Sequence, residues 1–171
     1  LYHSRLSIIA PGKEYNQPYL CKDGSMLLYN GEIFNFKKLA ENINSKIISD
    51  TELLSELIIR KNFDPTTLDG FFSIVRISKN GELLNCLRDS FGVKPLYFYR
   101  RGSYISIVSE PSILKKIFKL KFSKKSLQEF KIFRSPIFNQ SYFEKVKSVN
   151  PGNCLVHGQY FDLIKQIKSQ N

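Results

Sequence analysis

Residues 71–78, FFSIVRIS, constrain the fold more than any other segment, because they are typical of a β-strand yet are apolar on both faces. Phe72 and Ile74 project to one side of such a strand, and Phe71 and Val75 project to the other. A strand that is apolar on both faces has to be covered on both faces. The pattern therefore predicts a layered architecture rather than an open sheet.

Several other segments are typical of antiparallel strands joined by short turns. Residues 71–98 predict a meander, with a turn at Asn80-Gly81 after the first strand and another strand after Gly92. Asn30-Gly31, inside residues 25–35, is a second hairpin signal of the same kind. The other predicted strands are SRLSII at 4–9, YISIVSE at 104–110 and NCLVHGQYF at 153–161.

Helical segments complete an α+β pattern. Ser49 and Glu52 have the spacing of a capping box, in which each side chain accepts a hydrogen bond from a free backbone N–H at a helix start. Apolar residues then recur at helical spacing and give this helix one apolar face: Leu53, Leu54, Leu57 and Ile58. The remaining predicted helices are residues 36–43, residues 111–118 and the lysine-rich stretch after Ser123.

The composition predicts one soluble domain. The chain has 171 residues, of which 42% are hydrophobic, and no apolar run approaches the roughly 20 residues that span a bilayer. Nothing at the start is typical of a signal peptide, so we expect a cytoplasmic protein. Cys21, Cys86 and Cys154 show neither metal-ligand nor disulfide spacing. We expect buried thiols and no metal site.

One segment dominates the net charge of +11, since residues 115–134 hold eight basic residues and a single acidic one, Glu129. Such a segment can bind nucleic acid or another polyanion, or it can be the solvated face of a lysine-rich helix. Four phenylalanines are interleaved at helical spacing: Phe118, Phe122, Phe130 and Phe133. This spacing favours an apolar helix face over a platform for stacked bases, and we expect neither nucleic acid nor a membrane as a partner.

Five segments form an ordered set: HSRLSII at 3–9, LYNGEIFN at 28–35, SDTE at 49–52, RDSFGVKPLYF at 88–98 and SEPSIL at 109–114. Weaker members are Gln17-Pro18, LDGFFSIV at 68–75 and VNPGNCL at 149–155. Together they resemble the glutaminase domain of class II (N-terminal nucleophile) glutamine amidotransferases of the asparagine synthetase type. The resemblance implies an Ntn-hydrolase-like four-layer αββα sandwich of antiparallel sheets. It also implies a glutaminase-like domain at 1–162, followed by a tail or linker start at 163–171.

The resemblance implies roles for five residues. In the family, an N-terminal cysteine attacks the amide of L-glutamine, and its own α-amine, with a pKa near ~7.7–8.0, serves as the base. Asn30 and Gly31 would form the oxyanion hole through a side-chain amide and a backbone N–H. Arg5 would hold the glutamine α-carboxylate. Glu32 and Asp50 would hold the α-ammonium.

Each of these residues also has a structural interpretation. Asn30-Gly31 alone is typical of a hairpin turn, Asp50 could stabilise a helix N-terminus, and Arg5 could be a surface arginine beside a strand. Because the other family motifs occur in order along the same chain, we favour roles in a glutamine site over these structural interpretations.

The chain departs from the family at its start, because only Leu1 and Tyr2 precede HSRLSII, where the family has Cys-Gly and Arg-Gly-Pro-Asp. We expect the fold to lack its first strand and the chain alone to be inactive. Because its neighbours would be left unpaired, we expect the isolated chain to be rearranged, or a partner chain or a longer polypeptide to supply the strand. We expect no cofactor here, since ATP and Mg would belong to a synthetase domain with its own glycine-rich loop.

Three functions follow. The first is a glutamine-hydrolysing domain of an asparagine synthetase-like amidotransferase that supplies ammonia to an ATP-dependent synthetase domain. The second is a pseudo-glutaminase with a structural or peptide-binding role, as in the β-lactam synthetase and lasso-peptide cyclase relatives of the family. The third is a polyanion-binding module that uses residues 115–134 and weakens steeply with salt. The set of glutamine-holding residues favours the first.

Overall fold

A computed structural model describes residues 16–43, 46–137 and 141–169. In chain order its elements are β1 (Tyr19–Leu20), β2 (Met26–Ile33), α1 (Phe36–Asn42), α2 (Asp50–Ile58), a 3-10 turn (Pro65–Thr67), β3 (Gly70–Ile77), β4 (Leu83–Arg88), β5 (Tyr97–Arg101), β6 (Tyr104–Val108), α3 (Pro111–Phe118), α4 (Lys124–Phe133), β7 (Val146–Ser148), β8 (Asn153–Cys154), β9 (Gly158–Gln159) and α5 (Leu163–Ser169). They form two compact units. The strand predicted at 4–9 lies outside the described residues.

The first unit contains the described residues up to Val93 and from Pro151 onward. Its antiparallel sheet has the order β1-β2-β3-β4-β8-β9. The β2–β3 ladder runs without a break from Met26 opposite Ile77 to Ile33 opposite Gly70. One face of the sheet packs with α1 and α2 around a core that includes Leu27, Ile33, Leu53, Leu54, Phe72 and Ile74. The predicted α+β class with antiparallel strands is confirmed.

The second helix begins where the sequence predicts it. The Ser49 hydroxyl accepts a hydrogen bond from the N–H of Thr51 at 3.2 Å. In the predicted capping box it would accept from the N–H of Glu52, one residue later. Leu53 and Leu54 are fully buried, so the predicted apolar face of α2 is the face that packs on the sheet.

The second unit, Lys94–Asn150, has its own three-stranded antiparallel sheet in the order β6-β5-β7. Its core consists of Tyr99, Leu114, Phe143 and Val146. The Glu110 carboxylate accepts a hydrogen bond from the Ser112 N–H at 3.0 Å and caps α3. Ser123 caps α4 in the same way, so both predicted helices are present.

The predicted meander is wrong in its second half, because β3–β4 and β5–β6 belong to different sheets. A compact turn ends the first pair. Asp89 is 1% exposed, and its Oδ1 accepts hydrogen bonds from the N–H groups of Phe91 at 3.1 Å and Val93 at 2.9 Å. Its carbonyl accepts another from Gly92. This buried carboxylate fixes a turn that does not return the chain alongside β4.

One further prediction near the C-terminus is corrected. The single strand predicted at 153–161 is a small hairpin of β8 and β9, in which Cys154 lies opposite Gly158. Gly158 has φ +89°, which an extended strand residue does not adopt. Residues 163–169, in the segment expected to be a tail or linker start, form α5.

Candidate functional site

Asn30, Gly31 and Glu32 lie inside β2, opposite Ser73, Phe72 and Phe71 of β3. The hairpin turn predicted at Asn30-Gly31 is therefore wrong, because the strand continues through it. Tyr29 is buried in the core, whereas Asn30 and Glu32 are partly exposed. The backbones of these two residues are about 7 Å apart along the strand.

Gly31 occupies a position where only glycine fits. Its φ is +151°, and a Cβ built there would lie 2.0 Å from the Phe71 carbonyl oxygen. Gly70 has a matching φ of +152°, and its Cβ would lie 2.1 Å from the Glu32 carbonyl oxygen. The two glycines let β2 and β3 approach closely on both sides of the Glu32–Phe71 pair. From the sequence, Gly70 was included only as part of the weaker motif LDGFFSIV.

Asp50 is tied to β2 from the helix side of the sheet. It is 6% exposed at the N-terminus of α2, where its Oδ1 accepts a hydrogen bond from the Thr51 N–H at 2.8 Å. The Tyr29 hydroxyl donates to Asp50 Oδ2 at 2.8 Å. Burial, together with the nearby Asp50 charge, raises the pKa of Tyr29 well above its usual value, so this hydroxyl remains a donor.

The Gln17 side chain pairs with the backbone of the same tyrosine. Gln17 Nε2 donates to the Tyr29 carbonyl at 2.8 Å, and the Tyr29 N–H donates to Gln17 Oε1 at 2.5 Å. The sequence suggested Gln17 only as a weak family match, since a single glutamine carries no chemical signature of such pairing.

The structure therefore brings four of the five predicted site residues to one strand and its attachment. Three lie on β2, and Asp50 is bonded to β2 through Tyr29. The fifth, Arg5, lies outside the described residues. The four described residues meet at the backbone of β2 between Tyr29 and Glu32.

The internal cysteines are not placed for nucleophilic attack. Cys21, Cys86 and Cys154 are 3%, 0% and 3% exposed. Burial raises the pKa of the Cys21 thiol, which keeps it in the unreactive protonated form. Within the described part of the chain, no group of three or more His, Cys, Asp or Glu side chains could hold a metal ion.

The basic segment behaves largely as a folded part of the second unit. Three of its four phenylalanine rings pack against other rings, Phe118 against Tyr99, Phe122 against Phe143 and Phe130 against Tyr142. The predicted apolar helix face is not a single face, because Phe122 lies between α3 and α4 and Phe133 is 57% exposed. The lysines lie mostly at the surface. None of the described helices has the length and apolar character needed to cross a bilayer.

A cavity of about 450 Å³ in the first unit is separate from the predicted residues. It is lined by the end of α2 and by β4, β8 and β9, including Ile58, Arg60, Phe63, Leu84, Cys154 and His157. No predicted site residue is among its lining residues. The candidate site is thus defined by the β2 segment and its supports rather than by this cavity.

Fold and motif order together define a class of protein, the glutamine amidotransferases. Residues 1–162 match the family described as "Glutamine amidotransferase domain", and the chain belongs to this family. A solved structure of glutamine phosphoribosylpyrophosphate amidotransferase from B. subtilis shares the fold, with a TM-score of 0.57 and 22% identity over 89% of this chain and 31% of that one.

Among these proteins, the chain is similar to asparagine synthetases. It is 31% identical to asparagine synthetase (glutamine-hydrolyzing) 1 of Bacillus subtilis over 157 residues, or 87% of this chain and 25% of the relative. It is 34% identical to a probable asparagine synthetase of Acanthamoeba polyphaga mimivirus over 99 residues, or 56% of this chain and 18% of the relative. The chain thus spans a quarter or less of these relatives, and it is a glutamine amidotransferase domain similar to theirs.

Proposed function

We propose that this chain binds L-glutamine and is the part of a longer, asparagine synthetase-like protein that hydrolyses the glutamine amide. The ammonia would pass to an ATP-dependent synthetase domain, which would hold the ATP and Mg. The observation that carries the proposal is the Asn30-Gly31-Glu32 segment, held by β3 in a backbone conformation that only glycine allows. A family match over residues 1–162 gives that segment its context.

The chemistry requires a place for the negative charge that develops on the amide oxygen during attack. The Asn30 side-chain amide and the Gly31 N–H are two neutral donors that could share this charge. Such donors act best when they are fixed before the reaction, since they then need no reorganisation. The unbroken pairing of β2 with β3 holds this backbone, which supports assigning the oxyanion hole to this segment.

The amino-acid end of glutamine carries one positive and one negative charge. In the proposal Glu32 and Asp50 hold the ammonium, and Arg5 holds the carboxylate with a bidentate guanidinium. Asp50 has part of its hydrogen-bonding capacity satisfied by Tyr29 and by its own helix, which keeps the carboxylate oriented. A carboxylate oxygen accepts more than one hydrogen bond, so these contacts are compatible with an ammonium.

The nucleophile in this proposal is a cysteine at the N-terminus of the mature protein, with its α-amine as the base. The three internal thiols are buried and lack an α-amine of their own, so they do not take this role.

Glutamine hydrolysis by the complete polypeptide tests the oxyanion assignment, with a control that the chain itself provides. Asn30→Ala should lower kcat by about 10²–10³-fold, the usual cost of losing one oxyanion donor. Asn80 precedes a glycine in the same way but lies in an exposed turn, so Asn80→Ala should leave kcat unchanged. Equal kcat values for the two variants would refute the assignment of Asn30.

The residues proposed to hold the amino-acid end predict a different kinetic signature. Arg5→Ala and Glu32→Gln should raise KM for glutamine sharply, because each removes a contact to a charged group of the substrate. Lys79→Ala, in the exposed turn beside Asn80, is the control for loss of a surface charge. A KM equal to that of the parent for Arg5→Ala would remove Arg5 from the site.

A further inference from the structure

The Gln17 side chain takes the place of a peptide group in the edge of the six-stranded sheet. In the β1–β2 ladder Leu20 lies opposite Met26, and Tyr19 lies opposite Leu27. Continued by two residues, this antiparallel register puts position 17 opposite Tyr29. At that position the side-chain amide, rather than the main chain, donates to the Tyr29 carbonyl and accepts from the Tyr29 N–H.

These two bonds also reveal which way the neighbouring N–H groups point. The Tyr29 N–H and carbonyl face Gln17, and therefore face away from β3. Groups two residues apart on a strand project to the same side, so the Gly31 N–H also projects away from β3, along the edge that Gln17 occupies. The Gly31 N–H thus projects to the same side of β2 as the two bonds between Tyr29 and Gln17.

Tyr29 is held at both ends. Its backbone is paired with Gln17 and its hydroxyl with Asp50, and its ring is 4% exposed in the core of the first unit. Asn30 and Gly31 follow directly in the chain. A shift of the Tyr29 backbone would therefore move both proposed donors.

We propose that Gln17 is a positioning residue that sets the oxyanion donors Asn30 and Gly31 by clamping the backbone of Tyr29. This inference rests on the proposed function of that segment. Gln17 acts through Tyr29 and does not contact the substrate. Its loss affects the transition state more than the bound substrate, because a displacement of about 1 Å in a catalytic group can cost about 10²-fold in rate.

Kinetics of the complete polypeptide with glutamine test the positioning role. Gln17→Leu removes both bonds and should lower kcat by about 10–10²-fold, with KM changed by less than about twofold. Gln17→Glu keeps the size of the side chain and its acceptor oxygen but loses the N–H donor, so it should also lower kcat. This second variant tests the same role if Gln17→Leu fails to fold. Gln159→Leu is the matched control, because Gln159 Nε2 donates to the Phe161 carbonyl at 3.0 Å in the same unit. Its kcat should match the parent.

Hydrogen exchange at individual amides supplies a readout that does not depend on activity. The Tyr29 N–H should exchange at least about tenfold faster in Gln17→Leu than in the parent, while the Gln159→Leu variant leaves it unchanged. Unchanged exchange at Tyr29 overturns the clamp. Faster exchange with a parental kcat, or a raised KM with a parental kcat, overturns the positioning role alone. A parent protein that releases no glutamate overturns the proposed function, and the positioning role with it.

Discussion

Replacing Gly31 by alanine should destabilise the first unit far more than the same change in a turn. The backbone at φ +151° is strained for any residue with a side chain, at a cost of about 1–3 kcal/mol. The new Cβ would also lie 2.0 Å from the Phe71 carbonyl oxygen and 2.7 Å from the Phe72 Cα. Both are backbone atoms, so β3 itself must shift, which adds about 1–3 kcal/mol. The expected loss in the free energy of unfolding is about 2–6 kcal/mol.

Gly81 provides the matched control, because it also follows an asparagine. Its φ is +86°, and a Cβ there would meet nothing within 4 Å. Gly81→Ala should therefore cost only the backbone strain, about 1–2 kcal/mol. Urea unfolding followed by circular dichroism gives both values from midpoints at equal slope. If Gly31→Ala proves no more destabilising than Gly81→Ala, the close approach of β2 and β3 at Gly31 is wrong.

Two further changes test the supports of the fold. Asp89→Ala should destabilise the protein by about 2–4 kcal/mol in thermal unfolding, because the N–H groups of Phe91 and Val93 lose a charged acceptor that is itself buried. Asp89→Asn should cost less because it retains an acceptor oxygen. Equal costs for the two variants would refute this role of Asp89. Burial raises the pKa of both Tyr29 and Tyr160, so the native state keeps protons that the unfolded chain loses above about pH 10. The contribution of these two tyrosines to the free energy of unfolding should be constant below that pH and should fall above it by about 1.4 kcal/mol per pH unit for each tyrosine. Tyr29→Phe should make this fall less steep. An unchanged slope would contradict the assignment to Tyr29.

Much of the fold was predictable because its signals are local. The helix capped by Ser49 follows from one cap and one apolar stripe, and β3 follows from the β-prone run FFSIVRIS. The division of the strands between two sheets depends on pairing between distant segments, β4 with β8 and β5 with β7, which no local pattern specifies. The hairpin turn predicted at Asn30-Gly31 was wrong for the same reason. The dipeptide alone favours a turn, but the eight residue pairs between β2 and β3 keep it in a strand.

The site was predictable where a family motif carried it and not where a long-range contact did. Asn30, Gly31 and Glu32 stand next to each other in one motif, so their common strand was accessible from the sequence. Contacts between Tyr29 and Asp50, and between Gln17 and Tyr29, join residues 21 and 12 positions apart. They depend on the register of β1 with β2 and on the placement of α2 over the sheet. Only the folded structure gives these.

The central claim is that this domain releases ammonia from glutamine through the Asn30-Gly31 segment. The most direct test gives the complete polypeptide glutamine labelled with ¹⁵N in the side-chain amide and follows labelled ammonia and glutamate together. We predict equal amounts of both products from the parent, and release slower by about 10²–10³-fold from Asn30→Ala. A parent that binds glutamine but releases no label, or an Asn30→Ala variant as fast as the parent, would contradict the claim.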